Sequence, residues 1–327
     1  MNRYLTVTTS LMLAGLLVAC GGEEEGSPQP IEEEPVEDQA EAVAPEQFAE
    51  RYLAGEFERL HSQTSAEFQA QVPLQEFVQL GETFIEGVEE FQLVSEIPVM
   101  GYEEYQWISD NGDKGIRAYF AEDWTIEGLQ VMPLSSHPET DEQYTEGTYR
   151  MPITGSWLTF WGGTNQLVNY HYPVESQRYA YDLVVVENGS TFEGEATNNE
   201  SYHAFGKEVV APAAGTVVSV EDGIADNTPG IETNEQEPLG NHVIIDHHNG
   251  EYSVLAHFQQ GSLQVSEGDQ VEAGQLLGLC GNSGNSSEPH IHFHVADSAE
   301  WEEAASIRIT FEDGVEPVRG EEATGFE

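Results

Sequence analysis

Basic side chains are scarce in this 327-residue chain: 10 Lys and Arg stand against 60 Asp and Glu, a formal net charge of −50. So acidic a surface has no stripe that could follow a phosphate backbone. That excludes nucleic acid as a partner, and the same charge repels anionic lipid and anionic wall polymers. Like charges keep the chain soluble where counterions screen them, as in a saline or alkaline exterior. Cysteine is almost absent: Cys20 and Cys280 are the two thiols, too few for a disulfide framework. Lysine is reduced to Lys114 and Lys207. Long apolar runs are missing as well, since the one candidate, Leu5 to Ala19, is too short for a good membrane span. What is present is a hydrophobic fraction of 39%, enough for packed cores, in a length that accommodates two modest domains.

The short apolar run follows Arg3 and ends in Leu17-Val18-Ala19-Cys20, which resembles a bacterial lipobox. The resemblance implies a lipoprotein signal peptide over residues 1–19 and lipid on the Cys20 thiol. The mature protein would then be anchored to a membrane at its extracytoplasmic face rather than span it. Cys280 would be the remaining thiol, and its apolar, Gly-flanked setting marks a small core residue. Residues 20–44 carry two Glu triplets with Gly, Pro and Gln and no Lys or Arg. Such a segment cannot bury a core and reads as an acidic disordered tether.

Residues 45–148 read as an α+β domain. Pro45 suits a first helical turn, and Phe48, Tyr52, Leu53, Phe57 and Leu60 recur at helical spacing. Leu74, Phe77, Val78 and Phe84 announce a second helix. The period then changes to two around Ile116, Ala118 and Phe120, and again at Leu129 and Val131. This order resembles the small nuclear-transport-factor-like domains attached to secreted bacterial enzymes. His61 and His137 are isolated, so the region reads as a spacer or a binding module for a protein partner.

From residue 149 to 327 the signal is nearly all strand, with Gly and Asn between: Ser156–Trp161, Tyr179–Val186, Glu208–Val220, His242–Asp246, Tyr252–Phe258, Gln275–Cys280 and His290–Val295. The core is placed at about 165–297, in an antiparallel all-β domain. The acidic insertion from Ile224 to Leu239 reads as a surface loop. At the end comes His290-Ile291-His292-Phe293-His294. A spacing of two puts these imidazoles on one face of a strand and would scatter them around a helix. Paired imidazoles on one face can hold a metal ion.

Several segments together resemble the lysostaphin/LytM-type zinc endopeptidases of bacterial cell walls: Val210 to Val217, Gly240 to His247, Tyr252 to Phe258, Val265 to Val271, and Gly281-Asn282-Ser283-Gly284 leading into His290-Ile291-His292. The resemblance implies an antiparallel β-sheet groove of the duplicated-hybrid-motif kind, with one Zn²⁺ on its floor. It implies His292 and Asp182 as zinc ligands and His290 and His257 as catalytic histidines. It also implies peptidoglycan peptides as substrate. Two histidines and a carboxylate leave zinc an open position for water.

One position departs from the pattern. The family's other zinc histidine stands four residues before the Asp, and here that residue is Arg178, which stays protonated and binds no metal. His171, eleven residues before Asp182, is taken to replace it, since a loop of that length can return to the strand's end; the alternatives are His203 or no third protein ligand. His294 stands where the family has Glu or Gln and reads as structural, as do His242, His247 and His248. The leading expectation is a membrane-anchored zinc endopeptidase that cuts peptidoglycan cross-links. The alternative is a zinc-free degenerate domain that binds the wall or regulates another hydrolase. Val210 to Val217 and Glu267 to Gln275 also resemble biotinyl and lipoyl carriers, but neither Lys114 nor Lys207 sits in the hairpin such a carrier modifies.

Overall fold

The computed structural model describes residues 42–327. The signal peptide, Cys20 and nearly all of the acidic tether lie outside the described residues.

Four short helices open the described chain: α1 (Phe48–Leu53), α2 (Phe57–Ser62), α3 (Ala66–Gln71) and α4 (Leu74–Phe84). The apolar period from Phe48 to Leu60 reads as one helix; the structure divides it at Gly55, whose φ of 78° is the left-handed conformation that glycine adopts without strain. Ser65 caps α3 by accepting the Phe68 N–H. A four-stranded antiparallel sheet follows in sequence order: β1 (Phe91–Val99), β2 (Tyr102–Ser109), β3 (Lys114–Phe120) and β4 (Ile126–Pro133). The first two strands escape the sequence reading because β1 buries few of its side chains and β2 buries four in succession, so neither alternates. Phe48 and Tyr52 pack against Trp107, Ile116 and Phe120 to make one α+β core.

A one-turn helix, α5 (Pro138–Asp141), leads into the β region. Its strands are β5 (Tyr144–Tyr149), β6 (Ser156–Trp161), β7 (Tyr181–Val184), β8 (Glu208–Val210), β9 (Gly215–Glu221), β10 (Asn241–Asp246), β11 (Tyr252–Phe258), β12 (Gln270–Val271), β13 (Leu276–Leu279), β14 (Ile291–Ala296), β15 (Ser306–Phe311) and β16 (Glu322–Thr324). Eight of them run in the order β12-β9-β10-β11-β14-β7-β6-β16, β15 joins β14 to β5, and β8 pairs β13 apart from the rest.

The structure corrects the sequence reading in four places. The single strand expected over Glu208–Val220 is two, because Ala211 to Ala214 turn the chain and Pro212 has no N–H for a ladder. The sheet is not wholly antiparallel: β15 runs parallel to β5, a pairing open to strands joined by a long crossover rather than a hairpin. The hydrophobic core extends past 165–297, from Tyr149 to Ala323, since β5, β6, β15 and β16 share the sheet. Finally, the insertion Ile224–Leu239 is a loop but not merely a surface one. Asn227 is buried, and its amide donates to the carbonyls of Gly284 and Ser286.

Strand β14 places the histidines. Ile291, Phe293 and Val295 point into the main core with Leu183, Val243 and Leu255. The alternate face therefore carries His292 and His294.

Candidate active site

Register brings the first pair together. β14 lies against β7 with His292 opposite Asp182, and against β11 with Ala256 opposite His292. His292 Nδ1 stands 2.9 Å from Asp182 Oδ1. The other carboxylate oxygen, Oδ2, is 3.0 Å from His171 Nε2. One ligand atom from each of His171, Asp182 and His292 lies within 4.8 Å of the others, and all three residues are buried.

His171 reaches this point from the loop between β6 and β7. Asn169, fully buried, is the hub of that loop. Its amide donates to the carbonyls of Gly163, Arg178 and Ala180, and its Oδ1 accepts the His171 N–H. Four hydrogen bonds from one side chain hold the loop closed across eleven residues. Arg178 points elsewhere, donating to the Tyr172 carbonyl and to Thr140 Oγ1. His203 is outside the cluster, 3.9 Å from Glu187.

His257 is delivered by a bulge. Asn241 pairs with Phe258 and His242 with Ala256, so His257 has no partner across the ladder. Its φ of 71° is rare for a residue with a side chain. Its ring lies 4.7 Å from that of His290 and 5.9 Å from that of His292, centroid to centroid. His290 immediately precedes β14, with Nε2 3.8 Å from Asp182 Oδ1.

The ring contacts decide which nitrogens face the cluster. His257 Nδ1–H donates to the Ser283 carbonyl at 2.8 Å, and His290 Nδ1–H donates to the Glu288 carbonyl at 2.8 Å. A neutral imidazole so engaged keeps the Nε2 lone pair. His171 Nδ1–H donates to Gln177 Oε1 at 3.0 Å, again leaving Nε2 as the free donor atom. His292 Nε2 and His294 Nδ1 are 2.9 Å apart. When His292 gives its proton to that contact, its Nδ1 lone pair faces Asp182. His294 Nε2 is buried and has no hydrogen-bond partner among the described residues.

Electrostatics reinforce the arrangement. Burial would raise the Asp182 carboxyl, but the adjacent imidazoles of His171, His290 and His292, which attract and donate to it when they carry a second proton, overcome it and hold the group well below the carboxylate range. The ion-pair partners of this buried anion are imidazoles; no Lys or Arg among the described residues pairs with it. Burial depresses His257, His292 and His294 below the ordinary histidine value, with neighbouring imidazoles adding to the effect on each. Neutral imidazole is the form that binds metal or accepts a proton. Two imidazole nitrogens and one buried carboxylate oxygen, with the far ring nitrogens already engaged, fit a zinc ion.

The remaining predicted features fall elsewhere. Cys280 is buried, and its thiol is pushed up by burial, as suits a core residue. His247 donates Nδ1–H to the Ala214 carbonyl and stands 2.7 Å from Ser253 Oγ. A cavity of ≈ 440 Å³, walled by Arg150, Phe311 and Glu312 among others, includes none of the clustered histidines. Asn169 and Gln177 were missed by the sequence reading; Gln177 stands beside Arg178 in a segment noticed for other reasons, and Asn169 carries no local signal.

Residues 200–303 match Peptidase family M23. The matched stretch takes in His257, His290, His292 and His294 and stops short of His171 and Asp182. Peptidoglycan DD-endopeptidase ShyA of Vibrio cholerae is 32% identical over 90 residues, 26% of this chain and 20% of the relative. The chain thus matches about a fifth of that relative's length. Among solved structures, the catalytic domain of lysostaphin from Staphylococcus simulans is 24% identical, with 36% of this chain and 86% of that one covered and a TM-score of 0.24. A mutant catalytic domain of the prophage-encoded M23 protein EnpA from Enterococcus faecalis is 22% identical, with 36% and 85% covered and a TM-score of 0.20. The chain carries a Peptidase family M23 domain, in keeping with the lysostaphin/LytM pattern of its motifs.

Proposed function

We propose that this protein is a zinc-dependent endopeptidase that hydrolyses peptide cross-links of peptidoglycan, tethered to the outer face of a cell membrane by lipid on Cys20. The observation that carries this reading is the convergence of His171, Asp182 and His292 beside two further imidazoles whose Nδ1–H groups are held by backbone carbonyls.

His171 Nε2, one Asp182 oxygen and His292 Nδ1 would hold a single Zn²⁺. Such an ion supplies a Lewis acid that brings the pKa of water toward neutrality and polarises a peptide carbonyl. His257 and His290 divide the remaining work. Both rings are oriented by carbonyl acceptors, so each presents a basic nitrogen without reorganising. His257 is held neutral by burial and suits proton acceptance. His290 is the more exposed of the two, with 12% of its side chain accessible; with a proton on Nε2 as well, it would donate to the oxyanion and the leaving group. The loop 224–239 is stitched to residues 282–286 through Asn227 and Asn234, next to His290, and would form a wall of the substrate site.

Zinc per chain, measured by elemental mass spectrometry on the full-length protein beside His171→Ala and His292→Ala, tests the reading. About one zinc in the parent, lost in both variants, and release of cross-linked peptides from purified peptidoglycan are expected. The degenerate reading is favoured by Arg178 in the family's ligand position; it requires that His171→Ala change neither zinc content nor activity.

A further inference from the structure

We propose that the N-terminal α+β domain is a positioning element of the metal site: β3 and its neighbours clamp the loop that delivers His171. The inference rests on the zinc reading above and gives this domain a role other than spacer or partner module.

The loop from Gly162 to Ala180 contains no strand, and past Gly162 its backbone hydrogen bonds join near neighbours only, so its placement against the rest of the molecule rests on side-chain contacts. The clamp closes before His171. Arg117 on β3 donates to the Leu167 carbonyl at 2.5 Å. Leu167 itself is fully buried, against Gly115 of β3 and Leu134. A Cβ built on Gly115 would stand 3.2 Å from both Leu167 methyl groups. The glycine is therefore a notch in the strand that fits this loop.

A second contact aligns the strand that launches the loop. Glu104 on β2, 1% exposed, accepts from Arg319 Nε at 2.9 Å and lies 3.7 Å from Arg117 Nε. The Arg319 guanidinium lies 3.8 Å from the centroid of the Trp161 ring, the last residue of β6. From there the rings continue: Trp161 to Tyr170 at 5.3 Å, and Tyr170 to His171 at 3.9 Å. A buried Glu104–Arg319 pair with the partly buried Arg117 beside it is weak support for stability, but it favours the docking geometry in which each charge finds its partner.

The far side of His171 is tied to the inter-domain segment. Tyr172 OH donates to Asp141 at 2.7 Å and accepts the His137 N–H at 2.9 Å. His171 is thus bracketed by anchors in both directions, none of them inside the family-matched stretch. In the family pattern the early histidine sits four residues before the Asp. Here it stands on a long loop, and the docked domain supplies the order that the short spacing would otherwise provide.

The experiment is zinc affinity of the full-length protein by competition with a chromophoric chelator, with the d–d absorption of the Co²⁺-loaded form as a second readout. The variants are Tyr172→Phe, Arg117→Ala with Tyr172→Phe, His171→Ala, His292→Ala, and Glu58→Ala as an α2 control outside the clamp. Thermal melts verify folding; Tyr172→Phe keeps its ring packing and carries the test even if the double variant does not fold. We expect Kd for zinc to rise about ten- to a hundredfold in the double variant and less in Tyr172→Phe, with a changed cobalt band and no change in Glu58→Ala. From whatever residual affinity His171→Ala keeps in the chelator competition, the clamp substitutions should subtract nothing more, the signature of an effect transmitted through that residue. Parental affinity in both clamp variants, with zinc lost in His292→Ala, overturns the clamp alone. Parental affinity in His292→Ala overturns the metal reading and the clamp with it.

Discussion

The two halves of the candidate site are built by different means. The downstream half, with His257, His290 and His292, comes from β11, the approach to β14 and β14 itself: the ladder fixes His292 directly, and a bulge in β11 and the residue before β14 set His257 and His290 from the same framework. The upstream half sets Asp182 on a strand but His171 on a loop closed by one buried asparagine and braced by a second domain. The ladder half is rigid through repeated backbone hydrogen bonds between strands. The loop's own backbone bonds are local, so the position of His171 depends on a few specific side chains, and this is the half that substitution should loosen first.

His292→Ala should have the largest effect. It removes a ligand from the half that the ladder makes rigid, and zinc content and peptidoglycan cleavage should both fall to background, by elemental analysis and product release. Zinc retention there would break the comparison at its base. Next comes His257→Ala, which should lower kcat by about 10²- to 10⁴-fold, the range for a lost general acid or base, while zinc stays bound. Such a split between turnover and metal separates the two roles within the downstream half.

Asn169→Ala sharpens the contrast directly. It strips the loop of its hub and leaves several carbonyls and the His171 N–H without partners, a loss of about 2–4 kcal/mol in stability by denaturant unfolding. Zinc affinity should weaken with it, whereas the geometry of β14 should not change. His294→Leu should weaken zinc by about ten- to a hundredfold, since the acceptor that orients His292 is gone; His294→Gln, which restores an acceptor, should recover most of it in the same chelator competition.

Acid should separate the halves least but measurably. His257, His292 and His294 are held below the ordinary value of 6.5 in the folded state, so the unfolded chain binds more protons as pH falls through that value. Stability of the zinc-free protein should therefore be complete above about pH 7 and decline below 6.5. The slope is about 1.4 kcal/mol per pH unit for each histidine that stays neutral. Asp182, depressed below 3.8, adds its loss only at still lower pH. Melts across pH 7.5 to 5 should show this decline, and a flat profile would contradict the buried neutral imidazoles of β14 and the β11 bulge.

Legibility followed the same division. Tyr252–Phe258 and Ser156–Trp161 were bounded correctly because runs of β-prone apolar residues stand between Gly and Asn turn signals, although Tyr252–Phe258 is buried on both faces and does not alternate. β15 and β16 were not found, since the burial of β15 does not alternate and β16 has only three residues. His292 and His294 were placed on one face from spacing alone, and the 2.9 Å contact between their rings bears that out. The bulge that turns His257 inward depends on a register shift against β10 that no local pattern announces.

By itself the sequence determined that this is an acidic chain with an all-β C-terminal region and a strand presenting alternate imidazoles, because strand period and turn chemistry act between near neighbours. The sequence pointed to His171 as the upstream histidine, but only tertiary structure decided that it joins them and by what route. His171 rather than His203 meets Asp182, because β7 pairs with β14 across 110 residues, Asn169 closes the loop, and the N-terminal sheet holds Leu167 in place. Those contacts join residues too far apart for any period to link, and only the folded packing of two domains brings them within reach.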